Sequence, residues 1–164
     1  MTDMMMSDTA TKGCTHYSNY CEIFAPCCEL WFRCRRCHDS VREDLCDTLD
    51  VSKIQIVRCV ECLHEQEGGG ACESCATVFS DYYCNQCTLY RESHPDGIYH
   101  CDGCGICRIG RGTDENGTHW HCDRCVMCLP NSLDPMIHKA KCVPKATLDN
   151  CPICCEDLFS SQDP

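Results

Sequence analysis

His100-Cys101-Asp102-Gly103-Cys104-Gly105-Ile106-Cys107 returns twenty-one residues later as His121-Cys122-Asp123-Arg124-Cys125-Val126-Met127-Cys128. Each copy offers one imidazole and three thiols at the same spacing. A Cys-x-x-Cys step lets one tight turn aim two sulfurs at a single tetrahedral ion. The step recurs throughout the chain, at Cys34/Cys37, Cys59/Cys62, Cys72/Cys75, Cys84/Cys87, Cys101/Cys104, Cys104/Cys107, Cys122/Cys125, Cys125/Cys128 and Cys151/Cys154. One such pair would suit a thioredoxin-type redox motif; nine without any βαβ pattern point to structural zinc. A repeat with more ligands than its own turns can share predicts interleaving between neighbours. One arrangement uses each ligand once: Cys84, Cys87, Cys101 and Cys104 for a first ion, His100, Cys107, Cys122 and Cys125 for a second, and His121, Cys128, His138 and Cys142 for a third.

Composition supports coordination over a conventional core. There are 23 cysteines in 164 residues, aromatic residues make up 7%, and the mean hydropathy is -0.33. So little apolar area cannot offset the chain entropy alone, and a covalent or coordinative staple is required. An odd cysteine count and eight interspersed histidines favour metal over disulfides. Met1–Lys12 is polar apart from Met4, Met5 and Met6 and has no signal-peptide core, so the chain reads as intracellular, where thiols stay reduced. No apolar run is long enough for a membrane span, and a net charge of -11 weighs against general nucleic-acid binding.

The expected architecture is small, zinc-stapled and irregular, with short β-hairpins and little helix. Ser40-x-x-Glu43 with Val41, Leu45 and Leu49 predicts a short helix near 40–49, and Lys53–Arg58 alternates like a strand. Val78–Tyr83 and Ile98–His100 lead into cysteine turns, and Asn116-Gly117 has the chemistry of a hairpin turn.

From Gly13 onward, GCTHY, APCC, FRCRRCHD and CESCATVFSDYYCNQC resemble the CHY-type zinc finger; YYCNQC, IYHCDGCGICRIG and HWHCDRCVMC, with His138 and Cys142, resemble the CTCHY-type zinc finger. The tandem is similar to the amino-terminal half of RING-type ubiquitin ligases, and Asn150–Phe159 resembles the opening of their RING. The resemblance implies a tail at 1–12, a CHY module at 13–77, and a CTCHY module at 78–143 whose repeats form an interleaved zinc spiral. It then implies a linker at 144–150 and the start of an incomplete RING at 151–164. For the first module it implies three zinc ions on Cys14, His16, Cys27, Cys28, Cys34, Cys37, His38, Cys59, Cys62, Cys72 and Cys75 plus one further ligand. Asp47 occupies the place of the family's histidine. Cys46 before it is the softer ligand, and Cys21 is a spare that could displace Cys27 or Cys28. Counting Cys46, the two modules hold 19 cysteines and 5 histidines, enough for six four-coordinate zinc ions. Nineteen thiolates against six dications would add a net seven negative charges, taking the balance to about -18. His64 and His119 read as solvated, and His94 as part of a turn at Pro95.

The function implied by the resemblance is recognition of client proteins for ubiquitin-dependent degradation, in the nucleus and cytoplasm. A ubiquitin-conjugating enzyme would be a partner only where a full RING is present, since a RING needs eight ligands and residues 151–164 hold only Cys151, Cys154 and Cys155. No catalytic acid, base or nucleophile stands out. The competing readings are a zinc-dependent scaffold or nucleic-acid-binding protein without a ubiquitin role, and a metallothionein-like store. The net charge weighs against nucleic acid, and the β-forming pairs Val78-Phe79 and Tyr82-Tyr83 weigh against a store.

Overall fold

The computed structural model describes residues 12–41, 46–146 and 148, within two compact units that divide at Ser93/His94. The first unit is built on a four-stranded antiparallel sheet of β1 (Cys21–Ala25), β2 (Leu30–Phe32), β3 (Ile56–Cys59) and β4 (Glu65–Glu67), in the order β2-β1-β3-β4. Along β1, Cys21, Ile23 and Ala25 are buried while Glu22 and Phe24 turn outward, the period-two pattern of a sheet with one covered face. The covered face packs on Leu49, Ile54, Phe79 and Tyr90, with Phe79 0% exposed. Phe79 meets Tyr90 edge-on at 6.0 Å, and Tyr83 stacks on Tyr90 at 4.7 Å. Tyr83 and Tyr90 are cross-strand partners in a separate hairpin, β5 (Tyr82–Cys84) and β6 (Leu89–Arg91). On the outward face Arg58 bonds Glu22 at 2.6 Å and lies over the Trp31 ring at 4.4 Å.

The second unit contains two further hairpins and a helix: β7 (Ile98–Cys101) with β8 (Ile106–Ile109), and β9 (His119–Cys122) with β10 (Met127–Pro130). Its helix, Pro135–Lys141, starts where the Asp134 carboxylate accepts the Met136 N–H at 2.7 Å and Pro135 supplies a pre-set φ.

Several local expectations need correction. The helix of the first unit, α1, spans Arg35–Val41 instead of 40–49, and the second unit's helix is accordingly α2. Ser40 lies inside α1 with its hydroxyl on the Arg36 carbonyl at 2.7 Å, so it does not cap a helix that follows. Glu43 and Leu45 lie outside the described residues; Leu49 is a core residue in an extended stretch before the 3-10 turn at Val51–Lys53. That turn takes Lys53 out of the expected strand, which runs from Ile56. Val78 forms only an isolated bridge to Ala71, and the strand begins at Tyr82. Asn116-Gly117 closes a turn through Gly117 N–H to Asp114 C=O at 2.9 Å, but this turn connects two hairpins and does not close one. The expected linker is partly tied down, since Lys145 N–H donates to the Arg124 carbonyl at 2.7 Å. Most of the expected tail, and Asn150–Phe159, lie outside the described residues.

Candidate metal centres

Five of the Cys-x-x-Cys turns share one backbone device. Leu63, Ala76, Thr88, Gly105 and Val126 each follow the second cysteine of a Cys-x-x-Cys step, and all have positive φ, between 44° and 70°. Glu29, after Cys28, does the same at 58°. This left-handed residue bends the chain back, so that Leu63, Ala76, Gly105 and Val126 donate N–H bonds of 2.8–3.0 Å to the carbonyl of the first cysteine. The turn leaves both sulfurs on one side. Only Gly105 adopts this conformation without a Cβ penalty.

In the first unit, Cys14, His16, Cys34 and Cys37 converge, as do Cys27, Cys28, His38 and Cys46, and as do Cys59, Cys62, Cys72 and Cys75. In the second unit Cys101, Cys104, His121 and Cys128 converge. There α2 also brings His138 Nε2 to 3.3 Å from Cys122 Sγ and 3.6 Å from Cys125 Sγ, while Cys142 Sγ lies 3.8 Å from Cys122 Sγ. Cys84 and Cys87 sit on the β5–β6 turn, and His100 Nδ1 lies 3.8 Å from Cys107 Sγ as its cross-strand partner.

These spacings fit zinc. Bonds of about 2.3 Å to sulfur and about 2.05 Å to nitrogen at tetrahedral angles place two sulfurs about 3.8 Å apart and a nitrogen about 3.6 Å from each sulfur. The sulfur pairs Cys14/Cys34, Cys34/Cys37, Cys59/Cys75, Cys62/Cys72 and Cys104/Cys128 stand 3.5–3.7 Å apart. His121 Nδ1 is 3.4–3.8 Å from Cys101, Cys104 and Cys128. Every described cysteine is a free thiol.

The interleaved pairing expected from the repeat is corrected. Cys101 and Cys104 meet His121 and Cys128, and Cys122 and Cys125 meet His138 and Cys142. The reason is register. His100 pairs with Cys107 and His121 with Cys128 directly across their hairpins, one step below each turn. A hairpin therefore presents a His/Cys pair on its strands and a Cys-x-x-Cys pair at its tip, and the two belong to different centres. In β5–β6 the same register position holds Tyr83 and Tyr90, which contribute to the apolar core. At the other end α2 replaces a hairpin, with His138 and Cys142 one turn apart.

Cys46 stands with His38 and Cys27, at 3.3 and 3.8 Å, whereas Asp47 is exposed. Cys21 joins no cluster among the described residues: it is 0% exposed, pairs across the sheet with Cys59, and burial pushes its thiol pKa far up. His64 is exposed, His94 accepts the Asp96 N–H within its turn, and His119 is held between Thr118 and the Tyr99 ring.

Sequence reasoning passed over the groups around the ligands. Asp39 Oδ1 lies 2.9 Å from His38 Nδ1, leaving Nε2 to face Cys27 and Cys46, and the same oxygen accepts the Leu49 N–H at 2.9 Å. This carboxylate fixes the imidazole tautomer and also ties down the stretch that follows Cys46. His121 Nε2 is 3.5 Å from Asp123, and His100 Nε2 is 3.7 Å from Asp102, so His-Cys-Asp was a readable signal in both repeats. Hydrogen bonds from the Thr77 hydroxyl and N–H pull the Cys75 thiol down to about 6. Gly103 is required because a Cβ there would meet the His121 ring at 2.5 Å.

Cys/His clusters in tandem, turned by left-handed knuckles and joined by short hairpins, define a zinc-binding protein of the zinc-finger class. More particularly, residues 14–89 match the CHY zinc finger family. The chain is 37% identical over 149 residues to the E3 ubiquitin-protein ligase SRFP1 of Oryza sativa subsp. japonica, covering 91% of this chain and 54% of that protein. It is 36% identical over 165 residues to the E3 ubiquitin-protein ligase RZFP34 of Arabidopsis thaliana, covering 97% and 54%, and 36% identical over 154 residues to Zinc finger protein BRUTUS of Arabidopsis thaliana, covering 92% and 11%. The chain thus spans about half or less of these relatives, and it is a zinc-finger chain related to E3 ubiquitin ligases.

Proposed function

We propose that this chain is the client-recognising zinc module of a RING-type ubiquitin ligase, acting in the nucleus and cytoplasm on proteins destined for degradation. The observation that carries the reading is its kinship along nearly its whole length with proteins named E3 ubiquitin-protein ligases. The twenty-four cysteines and histidines of the two modules act as structural ligands for six zinc ions, which leaves the hairpin faces as recognition surface. A ligase of this class works by positioning, so client binding needs no nucleophile, and transfer is left to a RING with all eight ligands.

The test fuses the zinc-loaded chain to a complete RING from an unrelated ligase, in cells, and measures protein abundance against a fusion carrying Cys59→Ser and Cys62→Ser. Proteins depleted only by the intact fusion, and rescued by proteasome inhibition, are the expected result. Identical abundance profiles for the two fusions would overturn the reading.

A further inference from the structure

Beside the edge strand β4, a groove of about 440 Å³ opens on the first unit. The half-buried Tyr83 ring is its accessible apolar wall, since Ile54 and Val57 are buried core residues, and Gln55, Glu67 and Asn85 are its polar lining. Its size lies within the range of small-ligand and side-chain sites. Among the described residues no Lys or Arg lines it, and the exposed Glu67 carboxylate has no ion-pair or hydrogen-bond partner. Asn85 Oδ1 accepts the Tyr83 hydroxyl at 2.9 Å, and Tyr83 is stacked on the buried Tyr90, so the aromatic wall is rigid. Gly68 keeps this wall close to the end of β4: a Cβ there would stand 3.2 Å from the Tyr83 hydroxyl oxygen.

We propose that this groove takes an arginine side chain of a client polypeptide. Arginine satisfies each feature. Its guanidinium plane stacks on the Tyr83 ring, and its forked N–H donors meet the Glu67 carboxylate and the neighbouring amide oxygens. Charge complementarity selects this occupant. The chain carries -11 overall, Glu65 adds a second exposed carboxylate on β4, and the groove holds no cation that would repel a guanidinium. The inference rests on the client-recognition reading and names the side chain that would be read.

The test is NMR titration of the zinc-loaded full chain with the capped peptide Ala-Ala-Arg-Ala-Ala and its counterpart carrying neutral citrulline in place of arginine. The arginine peptide is expected to shift the amides of Glu67, Gly68 and Tyr83 and to bind about fivefold more tightly than the citrulline peptide, from one exposed ion pair and one cation–π contact. Glu67→Gln, at an exposed position, is expected to keep its zinc count and lose that preference. Equal binding of the two peptides by the unmodified chain, or a preference that survives in Glu67→Gln, would overturn the proposal. The RING-fusion assay separates this failure from failure of the wider reading. Clients depleted equally by Glu67→Gln and unmodified fusions would retain recognition and reject the groove. An arginine preference lost in Glu67→Gln, with no protein depleted by the fusion, would retain the groove and reject the ligase role.

Discussion

Cys104 Sγ lies 3.4 Å from His121 Nδ1, although the cysteine belongs to the turn of β7–β8 and the histidine to the strand β9 of the next hairpin. One ion held by this pair and by Cys101 and Cys128 ties consecutive hairpins together. His121→Ala is therefore expected to lose one zinc by native mass spectrometry and to make Cys101, Cys104 and Cys128 reactive to alkylation. Cys142 should stay protected. Alkylation of Cys142 in place of Cys101 would return the ligands to the pairing suggested by the bare repeat.

The centre around His38 discriminates among three candidates for its last ligand. Cys46→Ala should lose one zinc, because Cys46 Sγ is 3.3 Å from His38 Nε2. Asp47→Ala and Cys21→Ala should keep the full count, since Asp47 is exposed and Cys21 is sealed in the sheet. Cys21→Ala should nonetheless lower the melting temperature, because it leaves a small cavity in a core with little to spare.

The Cys59/Cys62/Cys72/Cys75 centre should respond to pH through Thr77. The Cys75 thiol is held near 6, against 9.0 for a free thiol, so the folded geometry of this centre favours the thiolate that zinc requires. That preference contributes its full stabilisation above about pH 9 and is lost as pH falls through about 6. Thr77→Val removes the hydroxyl 3.1 Å from Cys75 Sγ. The thiol pKa rises, protons compete better, and the pH at which cobalt absorbance is lost from this centre should move upward. An unchanged midpoint would mean that Thr77 leaves the thiolate unaffected.

Val126 is a β-branched residue at φ 58°, in the position that Gly105 fills in the preceding repeat. Val126→Gly should stabilise the zinc-loaded chain by roughly 1 kcal/mol, the cost of holding an L-residue left-handed, less the added backbone entropy of glycine. Thermal unfolding monitored by near-UV dichroism would show this as a higher midpoint. A lower midpoint would mean that the Val126 side chain contributes more by packing than its backbone loses.

A strong chelator should abolish tertiary structure in the unmodified chain. Among the described residues the first unit has one small apolar cluster around Ile23, Val57 and Phe79, and coordination supplies folding energy that such a core lacks. Near-UV dichroism that persists after the zinc is removed would contradict this.

Much of the architecture was legible in the residues because zinc chemistry is local. Cys-x-x-Cys places two sulfurs on one turn wherever it occurs, and scarce apolar residues with abundant thiols leave metal as the staple. Thus the zinc, the hairpins and the paucity of helix followed from spacing and composition. The local corrections came from short-range competition: Ser40 bonding back to Arg36 instead of capping a helix, and the 3-10 turn at Val51–Lys53 delaying the strand to Ile56. What spacing could not reach was the choice of partner between turns. His100/Cys107 and His121/Cys128 are equivalent in sequence, and only cross-strand register puts each pair below its own turn, facing another centre. Cys21 and Cys46 likewise look alike as thiols. Tertiary structure alone seals the first in a sheet, where burial keeps it protonated, and brings the second beside His38, whose free nitrogen is fixed by Asp39.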